Sequence, residues 1–282
     1  MVVTLARLQL ALGRAATLVE PLDDDGPRQR FAARAPSDRE GDTPSRLVIV
    51  HPAAPAGPTS GALLDRMAAI RAAGHPSVAA PLATGDVDGR AWVVEPHDPG
   101  HLVSHRLLQQ GKLSVHDTIR LLRDLARALA ALHRRQIGHG ALTAETATLG
   151  REGATLHGLG RGVAFSPAAD LSALGRLGVL ALLGRQPTDG TAELVRQRPA
   201  VPATLVHLLD TMLRCESART PLTADAVLES LDEFPARRTL GSRGIVQGIS
   251  RGARLPGQRR VAMLLAVLAI GLLVAWLVVR PG

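Results

Sequence analysis

Apolar positions along this chain recur with two periods, and the changeover between them divides it. Strands dominate the first hundred residues. Arg46-Leu47-Val48-Ile49-Val50 is the strongest of them, rich in β-branched side chains. Val2 to Val19 reads as two short strands around a turn at Leu12-Gly13-Arg14-Ala15-Ala16. Phe31 to Ala35 reads as another strand. Val78 to Thr84 and Ala91 to Glu95 read as a pair joined by the turn Gly85 to Gly89. One helix interrupts them: Leu63, Leu64, Met67 and Ile70 give an apolar side to Gly61–Ala73, which stops at Gly74-His75-Pro76.

From Leu102 the period becomes helical. Leu102 to Gln110 is short. Ser114 caps a long helix in which Ile119, Leu122, Leu125, Leu129 and Leu132 share a face, ending near Arg134. Asp170 opens a helix that runs through Leu183 to the breakers Gly184-Arg185-Gln186-Pro187. Ala203–Leu213 and Thr223–Phe234 are the last two amphipathic segments. Asp23-Asp24-Asp25-Gly26-Pro27 is a turn by composition, and Pro36 to Pro44 an exposed polar insertion. Three consecutive carboxylates point in different directions, so the Asp run lacks calcium-loop spacing.

Between the long helix and Asp170 lies His139-Gly140-Ala141-Leu142, then Glu145, a short segment from Ala154 to His157, and Gly158-Leu159-Gly160. This unit resembles the catalytic-loop region of bacterial Ser/Thr protein kinases, whose pattern is His-Arg-Asp-Leu-Lys-Pro-x-Asn followed by Asp-Phe-Gly. His139, Leu142 and Gly160 match. Ala141 stands for the catalytic Asp, Thr146 for the metal-binding Asn and Gly158 for the metal-binding Asp. The resemblance places a phosphate-covering Gly-rich loop at Gly13 and the base-binding hinge at Glu95. It places the phosphate-binding Lys at Val48 or, in a second alignment, at Arg34, and its helix Glu partner at Arg66. The chain's one lysine, Lys112, falls between helices and cannot serve as that Lys. The resemblance also implies structural roles: Ile70, Leu159 and His139 stack across two lobes with Asp170 at their base, and Arg219 is the Arg that normally pairs with an activation-segment Glu. Only nine residues, Arg161 to Ala169, stand where that segment would be.

The fold so implied is α+β: a two-lobed kinase-like domain with an N-lobe over 1–96 and a C-lobe over 97–236. Beyond it, 237–260 reads as a flexible basic linker with seven Arg and no acid, and 261–279 as 19 apolar residues. At 1.5 Å per residue these would span about 28 Å, enough for a transmembrane helix. Residues 280–282 then form a short outer tail. The Arg excess on the N-terminal side puts the domain in the cytoplasm, at the inner membrane, with anionic lipid attracted to Arg237–Arg260.

Composition narrows the function. The chain carries a formal +8, but eight of the 33 basic residues and none of the 25 acidic ones lie beyond residue 233. The preceding residues are balanced, so no nucleic-acid partner is expected. The single Cys, Cys215, permits no internal disulfide. The sequence therefore reads as a membrane-anchored pseudokinase that scaffolds an unidentified protein partner, with no catalytic residue, metal or cofactor expected. Weak ATP binding stays open, because hinge contacts use backbone. Two alternatives remain: a nucleotide-binding switch using Arg34 or Arg66, and noncanonical phosphoryl or nucleotidyl transfer using Glu145 or the Asp23–Asp25 run.

Overall fold

Pairing of the apolar strands builds the first half of the molecule. The computed structural model describes residues 4–25, 28–39, 41–52, 60–98, 101–159, 165–218 and 221–234. Five strands, β1 (Thr17–Asp25), β2 (Arg28–Arg34), β3 (Arg46–Val50), β4 (Ala83–Val87) and β5 (Arg90–Pro96), form an antiparallel sheet in the order β1-β2-β3-β5-β4. Its two faces follow from strand alternation. Phe31, Ala33, Val48, Val50, Trp92 and Val94 pack on one side with Leu8, Leu12 and Ala16. Ala91 and Val93 belong to the other face, which joins the main core through Leu63, Met67 and Ile70 of helix α2 (Ser60–Ala73).

Helix α1 (Leu5–Leu12) replaces the strand expected at the N-terminus. Leu8, Leu10 and Leu12 mimic strand alternation, yet Leu10 is 84% exposed while Leu8 and Leu12 are buried under the sheet. Burial of Leu8 and Leu12, four residues apart as in a helix, was the competing pattern, and only the sheet beside them selects between the two. Gly13 ends this helix at φ 54°, its N–H bonded to Gln9 O. It is therefore not a phosphate-loop glycine. The Asp23–Asp25 run, expected as a turn, ends strand β1, where Asp25 pairs with Arg28 of β2. The β4–β5 turn is also tighter than expected: the strands continue to Val87 and from Arg90, leaving only Asp88-Gly89, both at positive φ. Val78 makes a lone parallel bridge to Leu156 rather than starting β4.

The second half is helical. α3 (Val103–Gln110), α4 (Val115–His133), α5 (Pro167–Leu183), α7 (Ala203–Arg214) and α8 (Ala224–Asp232) fall where the periodicity puts them, and α6 (Gly190–Gln197) is an addition. Ser114, Ser166 and Thr223 cap α4, α5 and α8 by accepting the N–H three residues on, each worth about 1 kcal/mol. Ser166-Pro167 starts α5 before Asp170, so the stretch after Gly160 is shorter still. A two-stranded ribbon, β6 (Ala147–Leu149) with β7 (Ala154–Leu156), lies beside α4. Gly184 closes α5 at φ 80°, and a Cβ there would meet Gly111 O at 1.7 Å. The sheet region and helical region belong to one compact unit, Met1–Ala236.

The membrane expectation is corrected here. Among the described residues no helix is long and apolar enough to cross a membrane. The segment read as a spanning helix, 261–279, lies outside the described residues, as do the basic linker 237–260 and the tail 280–282. That reading rested on unbroken hydropathy and flanking Arg residues. The single-pass topology, the inner-membrane location, the cytoplasmic-face partner and the lipid contact of Arg237–Arg260 are accordingly not carried forward.

Candidate functional site

The loop between α4 and β6 is held from below by one carboxylate. Asp170, 1% exposed in the first turn of α5, accepts from His139 N at 2.8 Å with one oxygen and from Gly140 N at 2.7 Å with the other. His133 Nε2, at the end of α4, lies 2.9 Å from the first oxygen, and its ring meets Phe165 edge-on. Burial pushes the Asp170 carboxyl up, but the bonds from His133, Gly140 and His139 outweigh it and hold it below its usual value.

His139 is fully buried and committed. Its Nε2 donates to His157 O at 2.7 Å, so Nδ1 is the acceptor for Ala141 N–H at 3.2 Å. Both ring nitrogens serve the loop, which leaves no lone pair for proton abstraction. Ala141 presents no proton acceptor. Thr146 is 1% exposed; its hydroxyl accepts from Thr143 N at 2.8 Å and lies 3.2–3.3 Å from the carbonyls of Thr143 and Ala141. It staples the loop, its proton and one lone pair both committed to loop backbone. Glu145 is exposed at the rim.

Above the loop, Gly158 stands at φ 70° and donates its N–H to Glu95 Oε2 at 3.2 Å. Glu95 is 2% exposed on β5, so a side chain, and not only hinge backbone, faces the cleft. Arg66 of α2 donates to Leu159 O at 3.2 and 3.3 Å and to Gly138 O. Burial pushes the Arg66 guanidinium down, and the charge of Asp170 pulls it back up. Ile70 and Leu159 are buried in the main core with α2 and α4. Gly160 and Arg219 lie outside the described residues.

Strand alternation corrects the third-strand position. Val48 packs on the α1 side of the sheet. Leu47 and Ile49 line the cleft, with Arg30 of β2 opposite Ile49. The cleft side chain of β3 is therefore aliphatic, and Arg34 sits at the end of β2 opposite Thr17. The alignments missed this because a slip of one residue reverses which face a strand residue occupies. Arg30, Leu47 and Ile49 went unnoticed for the same reason; the cross-strand register was the missing signal.

The cleft closed by Arg30, Leu47, Ile49, Glu95, His97 and Gly158 holds about 40 Å³. Small-molecule sites are generally some 300–1,000 Å³. His157, also at its edge, is pushed by burial to about pH 4 against the pull of Asp98. A larger groove of about 740 Å³ lies between α4, the β6–β7 turn and His75, lined by charges of both signs, including Asp98, Asp124, Arg127 and Glu152. Among the described residues no group of three His, Cys, Asp or Glu side chains could hold a metal ion. Cys215 is buried, its Sγ 3.0 Å from Ala168 O, and burial pushes its thiol up.

No family model matches the chain, and no curated protein matches it.

Proposed function

We propose that this chain is a kinase-like domain without phosphotransfer activity, one that acts by binding rather than by catalysis. The observation that carries the reading is the narrow cleft: aliphatic Leu47 and Ile49 on one side, the loop-bonded Thr146 on the other, and a volume of about 40 Å³ between. Phosphoryl transfer needs a cation on the phosphates, ligands for Mg²⁺ and an acceptor for the hydroxyl proton. None of these stands at the matching positions. The sheet order, with α2 inserted between β3 and β4 and a helical region following, supports the kinase resemblance.

The test is incubation of the full chain with labelled Mg-ATP and a panel of protein substrates, beside calorimetric titration with ATP. Neither label transfer nor a binding heat at millimolar nucleotide is expected. Transfer abolished by Glu145→Gln would overturn the reading. A second reading, a nucleotide-responsive switch, draws on Arg30 and Arg34, whose buried Nε atoms have no hydrogen-bond partner. Saturable binding without Mg²⁺ and without turnover would favour it. Arg66 does not take part in that reading, because its Nε and one terminal nitrogen already hold backbone carbonyls.

A further inference from the structure

Two side chains of opposite charge, from two different elements, grip the same dipeptide. Glu95 of β5 takes the N–H of Gly158, and Arg66 of α2 takes the C=O of Leu159. Arg66 reaches in the same gesture to Gly138 O, just before the loop that Asp170 supports. The sheet, helix α2 and the loop are thus joined through one peptide segment, with protein groups only. Charge-assisted bonds of this kind are the stronger class, and each here acts where water is largely excluded. Leu159 itself is 1% exposed between α2 and α4, so reversing the segment would expose an apolar side chain and break both bonds at once.

We propose that Glu95 and Arg66 form a built-in clamp that holds the sheet region closed on the helical region, fixing α2 and residues 158–159 in one arrangement without any ligand. The clamp rests on the non-catalytic reading above and supplies its regulation: the surface the domain offers to a partner is set permanently rather than gated by a small molecule. The two ends are chemically distinct, so each can be released separately.

Hydrogen–deuterium exchange on the full chain tests this. In Arg66→Met and in Glu95→Gln, amide exchange over 155–159 and over α2 should rise about tenfold or more, with α7 and α8 unchanged. The wild type should show the same protection with and without Mg-ATP. Exchange at wild-type rates in both folded variants would overturn the clamp. Should Arg66→Met fail to fold, Arg66→Lys keeps a single donor and should show an intermediate rise; no rise there would overturn it equally. Nucleotide binding or label transfer by the wild type would defeat the non-catalytic reading, while the exchange rates of the variants would still decide the clamp.

Discussion

The floor and the roof of the cleft are built to different standards. On the floor, the buried side chains are partnered: Asp170 serves two N–H groups and His133, His139 uses both nitrogens, and Thr146 closes its own turn. On the roof, buried side-chain atoms of Gln29, Arg30, Arg34 and His51 have no hydrogen-bond partner of their own. A satisfied buried network resists change because each member's loss strands the others. An unsatisfied one can lose a member at little cost. The floor therefore carries structural constraint, whereas the roof is a strand pair whose side chains are only partly accommodated.

The largest effect should come from removing the floor's keystone. Asp170→Ala leaves two buried N–H groups and His133 without an acceptor, and should cost about 3–5 kcal/mol in urea denaturation. A loss below about 1 kcal/mol would erase the contrast between the two surfaces. Next comes pH. Burial holds His157 on the floor side and His51 on the roof near 4 in the folded state, against 6.5 unfolded. Neutral imidazole is the folded form, so the stabilisation is complete above about pH 6.5 and is lost as pH falls toward 4, by about 3 kcal/mol for each histidine. Below that, protonation of Asp170, whose folded value is held below the usual carboxylate range, removes more. Denaturation midpoints across this window should decline, and His157→Gln should flatten the slope by about one proton.

The roof should respond with the opposite sign. Arg30→Leu removes a buried Nε without a partner and should change stability by about 0 to 1 kcal/mol in the favourable direction; a loss exceeding 1 kcal/mol would place Arg30 in a network like that of the floor. The smallest effect is expected at Arg134, whose pair with Asp225 is more than 60% exposed at both ends. Arg134→Ala should shift stability by less than about 0.5 kcal/mol, which calibrates the other three.

Much of the helical region was legible because its signals are local. Ser114 with Asp117, the stripe from Ile119 to Leu132 and the Gly184 stop each work within one or two turns. The sheet was legible in existence but not in register. Val48 and Ile49 are indistinguishable as β-branched residues in one run, and only the pairing Val48↔Val94 and Ile49↔Val93, with α1 covering one face, decides which looks into the cleft. The N-terminal segment was misread because Leu8 and Leu12, four residues apart, satisfy both periods, and Leu10 between them completes the strand pattern. The C-terminal membrane reading rested on hydropathy, which describes composition and not a folded element.

The sequence by itself determined where α2 and α4 fall, the capping of α4 and the loss of carboxylates at Ala141 and Gly158, since these follow from residue identity and short-range spacing. Tertiary structure alone decided that Glu95 reaches Gly158, that Arg66 reaches Leu159 and Gly138, and that Asp170 holds the loop from 30 residues away. Those bonds join groups 30 to 93 positions apart. Nothing local encodes them; they exist because the packed core brings β5, α2 and α5 to one place, and burial then makes each unpaired polar group too costly to leave.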